Sequence, residues 1–385
     1  MREGPSDCED VGLFFSLPGT IRAADPSVTL SRLDAITSKI GVTRLADITG
    51  LDSINLPVYT CIRPLAKHLS TAQGKGVTQD SAKISALMEA CEAYHLENPP
   101  PIALEGNYQA LSGAHPVVDP QVFAKNFFGN EIVKKIFPWV KAQNLLNQEV
   151  CYLPHALACI DTTYYRPENC IFMISTNGVA AGNTVIEALC HALYEIIERD
   201  ALLYWRNSYS LESQSILIDQ ASDYNLSTLE KMSKAVDVNI WEITSQVGIP
   251  TFHVAIYGKE LRNLGVFTGT GTHFSKEIAL SRALTEACQS RLVYISGSRD
   301  DIFPDFYKQQ RISSPKTQFK NQKKFSDCQQ PEFKHDFSDN VKNILSRLQS
   351  CGYQQVYVIN HTKPDIDIPV VQAFVPGMQY DGSRM

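Results

Sequence analysis

Residues 175–205 read STNGVAAGNTVIEALCHALYEIIERDALLYW. The stretch opens on small residues and passes into apolar positions at helical spacing, which predicts a glycine-containing loop followed by a long helix. That helix carries Glu187, Glu195 and Glu198. Glu187 and Glu198 are about three turns apart and share a face, while Glu195 lies roughly 80° round from Glu187. The neighbours of Glu195 are Leu193, Tyr194, Ile196 and Ile197. A carboxylate in such company needs a compensating charge, because burying it unpaired is costly.

The same plan of strand, small-residue loop and helix occurs twice more. "LPVYTCIRPL" (56–65) predicts a strand, "STAQGKGVTQD" (70–80) a glycine loop, and "SAKISALMEACEAYHLEN" (81–98) an amphipathic helix stopped by the prolines at 99–101. Ser85, Glu89 and Glu92 follow the spacing of one helix face. "LGVFTGTGTH" (264–273) predicts a strand running into a glycine-rich bend. It precedes a third helix over 275–296, where Glu286 and Gln289 are three apart and Arg291 closes the segment. The first two helices echo each other coarsely.

Around these units the pattern predicts a helix over 28–40, capped by Thr29 or Ser31 and stopped by Gly41, and helix from 132 to Pro138. Strands are expected in "NQEVCYLPHAL" (147–157), "CIFMIS" (170–175), "DVNIWEIT" (237–244), "PTFHVAIYG" (250–258), "QVYVIN" (355–360) and "IPVVQAFVPG" (368–377), and a helix in "TLEKMSKAV" (228–236). The polar, weakly periodic stretch at about 303–340 reads as an exposed insertion. The expected fold class is mixed α/β: an N-terminal segment, 1–54, packed on a main domain, 55–385.

Composition narrows the function. The chain has 385 residues, 44% hydrophobic and 20% charged, with a net charge of −6. That is enough for a large core, and it argues against nonspecific nucleic-acid binding, which needs basic surface. No apolar run is long enough to span a bilayer, and the acidic N-terminus does not read as a signal peptide, so a cytoplasmic protein without a membrane role is expected. The ten cysteines form no C-x-x-C pair and read as reduced, buried thiols. No G-x-S-x-G or H-E-x-x-H pattern is present, and His191, among Ala188, Leu189, Ala192 and Leu193, reads as a packed side chain.

What remains is acidic. Magnesium prefers oxygen ligands and sits between one or two carboxylates and phosphate oxygens. Five glutamates, Glu89, Glu92, Glu187, Glu195 and Glu198, suit more than one such ion and a highly charged ligand. The loops "QGKGVT", with Lys75, and "NGVAAGNT" each stand before a helix, where backbone N–H groups receive anions. Neither is a Walker A sequence, and an ordinary turn explains each as well.

Together, "QGKGVTQDSAKISALMEACEAYHLE", "STNGVAAGNTVIEALCHALYEIIERDA", "ALTEACQSRLVYISGSRDD" and the N-terminal "TRLADITGLDSINLPVYTCIRP" resemble the YcaO family, most of all its members that work beside a TfuA partner. The resemblance implies a YcaO-like fold and an ATP-dependent enzyme that phosphorylates the oxygen of peptide backbone amides, with ATP held by glutamates and Mg2+. Carried over by motif, it implies nucleotide contacts from Ser85, Glu89, Asn183, Arg199, Gln289 and Arg291, with Lys75 as a further phosphate contact and Arg22 near a basic family position. It implies metal binding by Glu89, Glu92, Glu187, Glu195 and Glu198. The product is expected to be a thioamide formed with a sulfur-delivering TfuA-type partner. The alternatives are an azoline-forming cyclodehydratase and an accessory protein for another modification, such as ribosomal-protein methylthiolation. The ending "VPGMQYDGSRM" lacks the proline-rich tail common in azoline formers. The family also implies a homodimer and a peptide or protein substrate.

Overall fold

The computed structural model describes residues 14–124, 129–164, 171–172, 174–209, 214–259, 264–302 and 322–378. The chain starts with the hairpin β1 (Phe15–Leu17) and β2 (Thr20–Arg22). Helix α1 (Pro26–Ile36) follows. Its cap is Asp25, which accepts from Ser27 N, and Pro26 opens the first turn, where a missing N–H costs nothing. The predicted start at Thr29 or Ser31 is thus too late, because Thr29 is already inside the helix with its hydroxyl on Asn183 Oδ1.

The first unit is an antiparallel sheet of β3 (Arg44–Asp47), β4 (Val58–Ile62) and β5 (Thr71–Lys75), then α2 (Gln79–Glu97), capped by Thr78. Residues 71–75 were expected as loop; they are strand. Gly74 explains the misreading: a Cβ built on it would lie 2.0 Å from the Ala86 amide nitrogen, so the glycine is there to let the strand lie against α2. Gly74→Val is therefore expected to destabilise the fold by about 3 kcal/mol or more, read as a lowered denaturant midpoint. A midpoint within error of the unsubstituted protein would contradict this contact.

Strand β6 (Leu104–Asn107), the single turn α3 (Tyr108–Leu111), β7 (Ile136–Asn144) and β8 (Glu149–Pro154) come next. The predicted helix to Pro138 is wrong: a 3-10 turn (Gly129–Lys134) gives way to β7, whose pairing with β6, β8 and a later strand outweighs the local pattern. The strand predicted over 170–175 is reduced among the described residues to a single bridge between Phe172 and Ala124; Cys170 and Met173 lie outside them. The strand entering the second unit is instead β9 (Val179–Ala181), followed by α4 (Val185–Tyr209).

The third unit contains β10 (Ser215–Leu217), α5 (Asp223–Ser233), β11 (Val236–Glu242), β12 (Thr251–Gly258), β13 (Val266–Thr272) and α6 (Lys276–Ser296). The predicted glycine bend at 269–271 is regular strand. Gly269 and Gly271 press on Ala283, Ala287 and Ala279 of α6 as Gly74 presses on α2. Strand β14 (Gln322–Lys324), α7 (Phe337–Ser350), β15 (Tyr357–Asn360) and β16 (Val370–Phe374) complete the chain. Residues 303–321 of the expected insertion lie outside the described residues, but 322–340 is not an exposed insertion. There β14 pairs with β10, and Phe325 and Phe337 are fully buried.

The five-stranded sheet runs β13-β12-β11-β10-β14, and the six-stranded one β6-β7-β15-β16-β9 with β8 on β7. Cores lie between α4 and β16 with α7, between α2 and β5 with α1, and between α6 and the five-stranded sheet. Each of α2, α4 and α6 so packs one face, and their remaining faces meet among β5, β9 and β13, all at sheet edges. The described cysteines are free thiols, all buried except the half-buried Cys351; burial pushes Cys61 and Cys190 up to about 12.

Candidate active site

The three long helices carry one register three times: Ser85-Ala-Leu-Met-Glu89-Ala-Cys-Glu92 on α2, His191-Ala-Leu-Tyr-Glu195-Ile-Ile-Glu198 on α4, and Arg282-Ala-Leu-Thr-Glu286-Ala-Cys-Gln289 on α6. In each, Ala and Leu face a core and the first, fifth and eighth residues form a polar stripe. The stripes are tied to the sheet edges between them. Glu92 accepts from Ala181 N at 2.7 Å, Glu89 from the Gln73 backbone, and Glu286 from Thr270 N at 3.4 Å; Gln289 Nε2 donates to Gln73 O at 2.8 Å.

The fold therefore brings together Lys75, Glu89, Glu92, Glu195, Glu198, Arg199 and Gln289, and Ser85 lies one turn before Glu89 on the same stripe of α2. Lys75 Nζ lies 2.8 Å from Glu286, and Arg199 Nη2 lies 3.3 Å from Glu195. Glu187 lies in the first turn of α4, about two turns before Glu195, and Asn183 lies just before the helix. The Arg22 charge acts on Glu187 and Glu92 alike. The Glu187 carboxylate accepts from Asn183 N, Asn183 Nδ2 and Ala23 N, with Arg22 Nε at 3.7 Å. Arg291 is not with them. About 140° round α6 from Glu286, it forms a buried pair with Asp52 at 2.9 Å. Removing one partner of such a pair costs about 3–5 kcal/mol. Arg291→Ala is thus expected to lower the unfolding midpoint strongly, whereas the half-exposed Arg199 is expected to tolerate alanine; equal stability losses would contradict this division.

Glu286 and Arg282 were not singled out as site residues, and the threefold register is the signal that finds them. Arg282 acts electrostatically on Glu195, Glu198 and Glu286. Its Nε is buried without a hydrogen-bond partner, as are Glu198 Oε2 and Arg199 Nε.

The carboxylates divide into satisfied and unsatisfied. Burial works against ionisation of Glu187, but its polar neighbour His191, 3.8 Å away, the Arg22 charge and the Asn183 backbone hydrogen bond hold it at about 2. Glu286 also stays low despite burial, beside Lys75 and Arg199. Burial raises the rest. Glu89 rises to about 7, crowded by protein although solvent reaches it. Glu92 lies well above the carboxylate range, and Glu195 is raised too. Glu198, 5% exposed, rises to about 8 through burial and then the charge of Glu286. Four acidic side chains are thus held above the ordinary carboxylate range, beside guanidiniums whose Nε donors are unused.

The family model for YcaO cyclodehydratases, described as ATP- and Mg2+-binding, matches residues 73–379. The chain belongs to the YcaO family. A protein of uncharacterised function from Methanothermobacter thermautotrophicus is 33% identical, over 93% of this chain and 95% of its own. Another, in the tfuA 3′ region of Rhizobium leguminosarum bv. trifolii, is 29% identical, over 94% and 89%. The YcaO protein from Methanopyrus kandleri, solved with AMPPCP and Mg2+, superposes with a TM-score of 0.73 at 20% identity, over 96% of this chain and 95% of that one. A heterocyclase solved with substrate and cofactor gives 0.76 at 23% identity over 93% of this chain, which spans 53% of that protein. These likenesses show the YcaO fold.

The residues present fit the family's ATP and Mg2+. Among the described residues no three acidic, histidine or cysteine side chains stand close enough to hold one metal ion by themselves. Magnesium needs only one or two carboxylates when phosphate oxygens and water complete its shell. The raised carboxyl groups of the YcaO stripes and the unpartnered donors of Arg199 and Arg282 are such a divided set, suited to an ion that arrives with a polyphosphate.

Proposed function

We propose that this chain is an ATP-dependent enzyme that activates backbone amides of a peptide or protein substrate, and that its product is a thioamide formed with a TfuA-type sulfur-delivering partner. The carrying observation is the threefold charged stripe, with uncompensated carboxylates next to unpartnered guanidinium donors. The Rhizobium relative in the tfuA 3′ region favours the thioamide over an azoline. The same reading places the enzyme in the cytoplasm, where ATP is available, as a homodimer, acting on neither nucleic acid nor membrane.

Bound ATP supplies the phosphoryl group that turns the amide oxygen into a leaving group, with magnesium neutralising the charge. In balance, amide, hydrosulfide and ATP give thioamide, ADP and phosphate: the amide C–O bond breaks, a C–S bond forms, and the oxygen leaves with the phosphoryl group. Glu89, Glu92, Glu195, Glu198 and Glu286 offer carboxylate oxygens to magnesium. Arg199 and Arg282 offer planar, permanently charged donors to phosphate, and Lys75, held by Glu286, adds a point charge. Glu187 and Asn183 lock α4 to the residues after β2 and so hold Arg22 where its charge reaches Glu92.

The test is incubation of the enzyme with candidate peptide, partner, sulfide, ATP and magnesium, followed by mass spectrometry. Exchange of oxygen for sulfur is expected. Loss of water without sulfide would replace this reading with azoline formation, and neither change, with peptide and partner present, would favour an accessory role.

A further inference from the structure

Beside the acidic stripes lies a cluster of opposite character. Arg22 ends β2, His191 and Tyr194 lie one turn apart on α4, His273 follows β13, and Arg282 opens the α6 stripe. Arg22 Nη1 is 3.1 Å from His191 Nε2. A guanidinium only donates, so Nε2 accepts and the imidazole hydrogen sits on Nδ1. Ser275 N donates to His273 Nδ1 at 2.9 Å, which puts that ring's hydrogen on Nε2. His191 Nδ1, His273 Nε2 and Arg282 Nε are all buried, and none has a hydrogen-bond partner. All three are N–H donors with nothing to receive them, and His273 is only 1% exposed.

These groups are neighbours. The Tyr194 ring packs on the His273 ring with centroids 5.0 Å apart. The β1–β2 hairpin lies directly on α6, since a Cβ on Gly19 would be 2.3 Å from Ser281 Oγ, next to Arg282. The walls are aromatic: Phe333 lies 5.1 Å from the His273 ring and Phe337 6.3 Å from His191, with Phe14 packed on both phenylalanines. Burial, followed by the charge of Arg282, keeps His273 neutral. Glu187 borders the cluster, 3.8 Å from His191, with an oxygen already taken by Ala23 and Asn183. An unpaired buried donor costs about 1–3 kcal/mol, so three in one neighbourhood call for an acceptor.

We propose that His191, His273 and Arg282 form a site for a small anion, hydrosulfide or orthophosphate, next to the acidic stripes. Neutral N–H donors, a guanidinium and the positive edges of aromatic rings suit a small anion. The site would then hold the nucleophile or the phosphate that leaves. Only the choice between these anions rests on the thioamide reading; the donors stand without it.

The test is calorimetric titration of the full chain, without ATP or peptide, with sodium hydrosulfide and separately with sodium phosphate. One anion per chain is expected. His273→Leu, which removes the donor, should weaken it by about tenfold or more, the value of one hydrogen bond to a charged group. His273→Gln, which keeps a side-chain N–H, should largely restore it. Arg282→Met gives the same test if His273→Leu does not fold. Hydrosulfide that phosphate does not displace would identify the nucleophile's site, and displacement by phosphate would identify the leaving anion's. The proposal is overturned if neither anion binds, or if a folded His273→Leu or Arg282→Met variant binds as tightly as the unsubstituted protein. A failed thioamide assay would leave this binding result standing.

Discussion

Glu198→Gln is expected to lower ATP-dependent turnover by about 100- to 1000-fold, the range for loss of a preorganised electrostatic group, while making the unliganded protein more stable. The two effects have one cause. Glu198 is 5% exposed, one of its oxygens has no partner, and Glu286 adds like charge. Without ligand that charge is a burden, and glutamine of the same shape removes it. With magnesium and a polyphosphate bound, the proposed site would use the same charge as a ligand. Steady-state phosphate release and thermal unfolding read the two effects on one sample. Unchanged turnover, or a stability loss without ligand, would remove Glu198 from the nucleotide site.

The stability gained by Glu198→Gln should itself depend on pH. In the unfolded chain a glutamate titrates near 4.3, and in the fold Glu198 titrates at about 8. Between these values the folded protein holds a proton that the unfolded chain has lost, so its stability falls as pH rises through the window, and the loss is complete above about pH 8. The full effect is on the order of a few kcal/mol. Glu89, at about 7, contributes in the same direction but less, because solvent screens it. Buried neutral histidines act oppositely: His95 and His191 are depressed to about 4, so acid costs stability as pH falls through the unfolded histidine value. Comparing the variant with the unsubstituted protein cancels these common terms. Their unfolding temperatures should coincide near pH 4.5 and separate up to pH 8.5, and saturating ATP and magnesium should reverse their order at pH 8.5. A constant difference across this range would contradict the buried charge of Glu198.

The fold was legible where one helix face is apolar over several turns. The three long helices lie within a few residues of their expected places, and so do β4, β8, β11, β12, β15 and β16, with their alternating or β-branched residues. The errors have a common origin in contacts distant along the chain. Glycines that mark a loop in isolation lie in β5 and β13 because helix backbones pass over them. The segment before Pro138 has a helical pattern but forms a 3-10 turn and then strand, where β6 and β8 pair with it. Helix α7 was not foreseen, and part of it was assigned to the insertion. The site shows the same limit. Glu89, Glu92, Glu195 and Glu198 were marked by carboxylates among apolar neighbours, a local signal. Arg291 looked equivalent until its partner, Asp52, appeared from the far end of the chain. In the sequence Glu286 shows only its spacing from Gln289, and Arg282 carries no signal of its own; laying the third helix over the other two finds both, whereas the coarse echo joins only the first and second.

The central claim is that the stripes of α2, α4 and α6 together hold one magnesium nucleotide. Its most direct test is calorimetric titration of ATP into the unsubstituted protein and into Glu89→Gln, Glu195→Gln and Glu286→Gln, each with and without magnesium. The prediction is saturable binding that requires magnesium and is lost or severely weakened by each substitution, one per helix. Tight ATP binding without magnesium, or unchanged binding in all three variants with it, would contradict the claim.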